Sequence, residues 1–296
     1  MGILTLLATG LVLLWFGSAG FLYYRLRHPV RRGRGWALVH DVPADPEALG
    51  MEGEAITLRF RRGTETRGWV LRGDKPDLPL VLMTHGFGDC RVHMLNLAVF
   101  YVPHASAVVV YDVAAHGDST DRALTFAMRE PFDVSEIIEQ LPESMTARGV
   151  VLAGCSMGGV ISVRAALLPR VRARLRGVVL DGPYRLWWEP IHGLLRWAGY
   201  PAGMLMAPVR MLRPIIWPGV NDIETVRDAA RVEVPLMVLH GELDPVCPVA
   251  SGRQIAGAAP RGRIVTFAEG HHLDLAAIDP DRYDASLRDF FATLEE

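Results

Sequence analysis

The hydrophobic pattern divides this chain into two unequal parts. Residues 3–24 form one run without a charged side chain, and from residue 55 onward short apolar runs alternate with mixed, amphipathic stretches. As a helix rising about 1.5 Å per residue, the first run would extend ~33 Å, enough to cross a bilayer. Trp15, Phe16, Phe21, Tyr23 and Tyr24 crowd its second half, and Arg25, Arg27, Arg31, Arg32 and Arg34 follow it. Tyr23 and Tyr24 suit an interfacial belt, and the Arg cluster suits the cytoplasmic side of a membrane. A secretory signal peptide carries its positive charge ahead of the apolar run, whereas no Lys or Arg precedes this one. The pattern therefore predicts an uncleaved anchor at 1–24 with its N-terminus outside. A basic juxtamembrane linker follows at 25–53, and a domain at 54–296 lies on the cytoplasmic face.

Within 54–296, residues 55–60 and 67–71 read as two strands around a Gly63 turn. Apolar runs at 78–84, 107–111, 150–153, 177–180, 236–239 and 264–267 read as strands buried on both faces. Helical stretches near 92–102, 133–141, 157–168, 249–257 and 281–294 lie between them. This alternation predicts an α/β fold: an eight-stranded, mostly parallel, doubly wound sheet flanked by helices. One insertion, about 183–232, breaks the rhythm between strands six and seven. It holds Trp187, Trp188, Trp197, Trp217, Met204, Met206 and Met211, with Pro201, Pro208, Pro214 and Pro218 as breakers. That is too apolar for a plain loop. It predicts a helical cap, with a further expectation that part of it stays exposed and meets the bilayer.

Composition removes several function classes. The formal net charge is −2, which gives no basic footprint for nucleic acid. Three widely spaced cysteines, Cys90, Cys155 and Cys247, provide neither a disulfide framework nor metal-ligand spacing. No metal and no cofactor is expected, and the sequence does not set the oligomeric state.

The candidate chemistry centres on Gly154-Cys155-Ser156-Met157-Gly158, between the 150–153 strand and the following helix. A strand turning sharply into a helix strains the turn residue, and flanking glycines give the neighbouring chain room. The serine hydroxyl is then held above the sheet edge, near the free N–H groups of the helix start. Three more segments belong with it: Thr84-His85-Gly86-Phe87-Gly88-Asp89, Asp112-Val113-Ala114-Ala115-His116-Gly117-Asp118-Ser119, and a pair of loops. Those loops are His240-Gly241-Glu242-Leu243-Asp244-Pro245-Val246-Cys247-Pro248 and Ala268-Glu269-Gly270-His271-His272.

In these four pieces and their order, residues 54–296 resemble the α/β-hydrolase superfamily, in which Gly-x-Ser-x-Gly is the nucleophile elbow. The resemblance implies Ser156 as nucleophile, with Cys155 at the variable position pointing away from substrate. It implies Asp244 as the triad acid, with Asp181 the alternative acid used by some relatives. The Gly-His pattern implies His271 as the base, with the adjacent His272 the alternative. Backbone N–H groups of Phe87 and Met157 would form the oxyanion hole, His85 would be structural, and Asp274 would cap the helix after it. Relatives often carry Asp-x-Arg-Gly-His-Gly-x-Ser where this chain has Ala114-Ala115 in place of Arg-Gly, which blurs the subfamily and leaves the mechanism intact.

The reaction so implied is acyl transfer to Ser156 followed by hydrolysis, without a cofactor. The anchor and the apolar cap tilt the expected substrate toward acyl esters or lipid-like molecules, as in an esterase or lipase. An acyltransferase on the same triad, a peptidase or thioesterase, and a non-catalytic binding protein on this fold are the alternatives.

Overall fold

The computed structural model describes residues 2–220 and 223–294. The eight strands form within two residues of the expected bounds. They are β1 (Gly53–Arg59), β2 (Glu65–Arg72), β3 (Leu80–Thr84), β4 (Ala107–Tyr111), β5 (Val150–Cys155), β6 (Leu175–Asp181), β7 (Leu236–Gly241) and β8 (Gly262–Phe267). The sheet order is β1-β2-β4-β3-β5-β6-β7-β8. β2 pairs antiparallel with β1 and β4, and every other pairing is parallel.

Period-two alternation explains why the central strands read as continuous apolar runs. Leu82, Val109, Leu152, Val178 and Val238 pack into the core on one face of the sheet, and Met83, Val110, Val151, Val179 and Met237 into the core on the other. Both faces need cover, and the helices supply it. Among the described residues, those of nine residues or more are α1 (Ile3–Arg27), α2 (Arg91–Tyr101), α3 (Glu130–Gln140), α4 (Met157–Ala166), α5 (Glu189–Trp197), α6 (Ala202–Ile216), α7 (Val249–Ala258) and α8 (Pro280–Ala292).

α5 and α6 form the cap between β6 and β7. Pro201 and Pro218 flank α6, but Pro208 and Pro214, expected as breakers, sit inside it. The helix continues through both, and at Pro208 the Met204 carbonyl takes a donor from Trp15. Trp187, Met206 and Trp217 are buried, while Trp197, Met204, Met211 and Ile215 are exposed.

α1 is the one described helix long and apolar enough to cross a membrane. Its first half projects with its leucines exposed, but Ala19 and Leu26 are buried in the main core. Trp15 Nε1 donates to the Met204 carbonyl of α6 at 2.8 Å, and the Tyr23 ring meets the edge of Trp217 at 5.5 Å. Beyond the helix, residues 28–52 contain a short helix, Arg34–Val39, and a 3-10 turn, Pro46–Leu49. The Arg31 guanidinium there donates to the Gly117, Ser119 and Asp121 carbonyls.

Candidate active site

The parallel strands β3, β5, β6, β7 and β8 all end at one edge, where ligands bind in open α/β sheets. Ser156 follows β5 with φ 50° and ψ −112°, a strained conformation for a residue with a side chain. The turn closes only around glycines. A Cβ on Gly154 would lie 2.3 Å from the Gly158 carbonyl oxygen, and one on Gly158 would lie 1.9 Å from the Thr84 carbonyl oxygen.

The Ser156 hydroxyl lies 3.1 Å from His272 Nε2. On the other side of that ring, Nδ1 is 2.7 Å from Asp244 Oδ2. The structure brings the alternative His272, and not the expected His271, between Ser156 and Asp244: His271 is not in this chain of contacts. Its side chain is 54% exposed and faces Asp274 at 3.5 Å. The reason lies in the turn after β8. The Gly270 N–H closes back on the Phe267 carbonyl, and the Gly270 carbonyl accepts from Leu243 N–H. Asp274 Oδ1 then captures the His271 N–H at 2.7 Å, and Leu273 adopts φ 64°. The bend turns His271 outward and swings the next residue over Ser156. It also corrects the role of Asp274, whose carboxylate binds this turn and does not cap the following helix.

Asp244 is held from several sides. Its Oδ1 accepts the Val246 and Cys247 N–H groups, each at 2.8 Å. His240, at the end of β7 and fully buried, places Nε2 3.5 Å from Oδ2 while bonding the Cys247 carbonyl at 2.9 Å. Burial alone would raise this carboxyl, but the hydrogen bonds from His240, His272 and the Cys247 N–H outweigh it and hold Asp244 well below the usual carboxylate range. Sequence reading gave His240 no role, because its place beside Asp244 depends on how the loop folds back.

Asp181, the alternative acid, ends β6 but makes no hydrogen bond to His272. Its Oδ2 accepts the Tyr283 hydroxyl at 3.2 Å, its Oδ1 has no partner, and burial pushes it up to about 6.

Phe87 and Met157 border the same space as Ser156 and His272. Met157 opens α4, so its N–H has no acceptor within the helix. The Phe87 loop is stapled by two histidines. His85 bonds the Gly86 carbonyl through Nδ1 at 2.8 Å and accepts Val113 N–H through Nε2 at 2.9 Å. His116 bonds the Ala114 carbonyl at 2.9 Å and accepts Gly88 N–H at 3.0 Å. Burial, with His85 beside it, lowers His116 to about 3, so it stays a neutral acceptor. Arg91, at the start of α2, pairs with buried Asp112 through its guanidinium and its own N–H.

A cavity of about 230 Å³ opens at Ser156, with Leu22, Leu26, Ile191, Leu194 and Leu195 among its walls. A wider cleft of about 530 Å³, near Glu52, Arg72 and Arg148, lies at the opposite ends of the strands, away from Ser156. Among the described residues two trios could in principle hold a metal ion, Asp89-Cys90-His93 and Asp244-Cys247-His272. In the second, Asp244 and His272 already bind each other. Burial pushes the Cys90 thiol up to about 11 and Cys247 well above its usual range, which disfavours the thiolate a metal needs.

The profile of the Alpha/beta hydrolase family matches residues 81–285. The chain belongs to that family. It is similar to human Protein ABHD12B, 24% identical over 249 residues that cover 78% of this chain and 66% of that protein. Among solved structures it is similar to the Pyrococcus furiosus esterase Pf2001, with a TM-score of 0.70 at 17% identity over 90% of this chain and 98% of that one. A membrane phospholipase A described as a bacterial virulence factor gives a TM-score of 0.64 at 18% identity, over 100% of this chain and 98% of that one. At such identities these two structures share its fold.

Proposed function

We propose that this chain is a membrane-anchored serine hydrolase that cleaves acyl esters, with Ser156 as nucleophile, His272 as base and Asp244 as the orienting acid. The observation that carries this reading is the unbroken Ser156–His272–Asp244 line, at 3.1 and 2.7 Å, at the mouth of an apolar cavity. His272 takes the hydroxyl proton as Ser156 attacks the ester carbonyl. The ionised Asp244 fixes the ring so that Nε2 faces the serine, and it stabilises the imidazolium that forms. The N–H groups of Phe87 and Met157 receive the oxyanion, each donor contributing about 3 kcal/mol to the barrier reduction. His272 then protonates the leaving alcohol, and water, activated by the same ring, releases the acid. The esterase and phospholipase among the structural neighbours support an ester substrate.

Composition supports the anchor reading, and packing supports retention of the helix over its cleavage. A cleaved signal peptide is discarded, yet Ala19 and Leu26 are buried in the main core. The five Arg residues after the apolar run support a cytoplasmic domain. The test is fluorophosphonate labelling of the full-length chain together with hydrolysis of p-nitrophenyl esters. Ser156→Ala should lose both. A variant that keeps near-wild-type hydrolysis refutes the assignment.

A further inference from the structure

Leu22 and Leu26 are four residues apart on α1, so they stack along one face of the helix. Both line the cavity that opens at Ser156, across from Ile191, Leu194 and Leu195 of α5. The end of the candidate membrane helix is therefore part of the catalytic pocket's wall. It is fixed there from both sides. Above, Trp15 bonds the Met204 carbonyl and Tyr23 abuts Trp217. Below, the Arg27 carbonyl accepts Leu124 N–H at 2.9 Å, and Arg31 binds the loop that follows β4. An aromatic series also ties this wall to the oxyanion loop. Trp217 meets Phe126 at 4.8 Å, and Phe126 stacks on Phe87 at 5.7 Å.

Among the described residues no Lys or Arg lines the cavity, and its charged or titratable lining is Asp89, Tyr184 and His272. No cationic side chain there would bind an anionic acyl tail, and leucines line the space beside the nucleophile. We propose that α1 is a specificity element of the active site, with Leu22 and Leu26 receiving the hydrocarbon end of a neutral acyl chain whose carbonyl sits at Ser156. This rests on the serine hydrolase reading and adds to it the residues that select acyl length. The helix that reaches the membrane also grips the acyl tail, so tail and anchor meet on the same side of the domain.

The experiment uses the full-length chain in mixed micelles and measures kcat/KM for p-nitrophenyl acetate, butyrate, octanoate and laurate. Leu26→Trp fills the wall position. It should lower the octanoate-to-acetate ratio about tenfold or more, since hydrophobic pockets discriminate by such factors per group. Leu22→Ala with Leu26→Ala deepens the cavity and should move the preferred acyl length upward. Leu14→Trp, on the exposed part of the same helix, should leave the ratio as in wild type. Fluorophosphonate labelling of Ser156 in each variant reports whether its site is assembled. If the wild type is not labelled, the hydrolase reading fails. If all variants are labelled and the ratios stay within twofold of wild type, the assignment of α1 is overturned. Should Leu26→Trp not be labelled, the double alanine variant decides alone.

Discussion

Trp15 Nε1 donates to the backbone carbonyl of Met204 at 2.8 Å, and that carbonyl is the acceptor which Pro208, four residues on in α6, leaves without an intrahelical donor. A proline inside a helix thus gains a partner from a different helix, which is how broken backbone bonds are satisfied in apolar surroundings. Trp15→Phe should weaken the seating of α1 by about 1 kcal/mol. In a Pro208→Ala background the carbonyl regains its own helical N–H, so Trp15→Phe should cost much less there. A double-mutant cycle on unfolding of the full-length chain in detergent measures the difference. Equal costs in both backgrounds would separate Trp15 from Pro208.

The two adjacent histidines should behave oppositely. His272 bridges Ser156 and Asp244, whereas His271 faces outward toward Asp274. His272→Ala should lower kcat about 10³-fold or more, in line with loss of a general base in a triad. His271→Ala should stay within a few-fold of wild type. Steady-state kinetics on one activated ester decides between them, and the reverse order would return the base to His271.

How much of this was legible in the sequence differs from element to element, for physical reasons. The central strands were readable because burial on both faces leaves no polar positions, as in Val108-Val109-Val110. Ser156 and Asp244 were readable because elbow and loop carry their own turn residues. The choice between His271 and His272 was not, since it is set by Asp274 binding the His271 N–H and by the positive φ of Leu273. Neither leaves a local pattern. Pro208 read as a breaker because its compensation comes from Trp15, far away in the chain. The inward face of α1 was hidden for the same reason: Leu22 and Leu26 look like any other residues of an apolar run.

His116 should matter without touching substrate. Its Nε2 accepts the Gly88 N–H beside Phe87, and it stays neutral because it is lowered to about 3. His116→Ala leaves that N–H unpaired, which should cost about 1–3 kcal/mol of stability. The Phe87 N–H would then be less well placed, and kcat should fall about tenfold with little change in KM. His116→Gln, which can accept through its amide oxygen, should restore part of both. A loss of stability with unchanged kcat would sever this residue from the oxyanion loop.

Asp181 makes a separable prediction about pH. Burial raises its carboxyl to about 6, while an unfolded chain would show the ordinary value near 4. Between those values the folded state holds the extra proton, so stability falls as pH rises through that window. The cost is fully present above pH ~6 and, from a shift of roughly two units, amounts to at most about 3 kcal/mol. Asp244 has the opposite sign: held low, it contributes stability above its unfolded value near 4, and that contribution is lost as pH falls further. Asp181→Asn cannot ionise, so its unfolding free energy should be flatter than wild type between pH 4 and 6. Because Asp181 binds Tyr283 and not His272, the same variant should keep kcat within about tenfold at pH 7. A collapse of kcat with an unaltered pH slope would make Asp181 part of the proton relay and would take that role from Asp244.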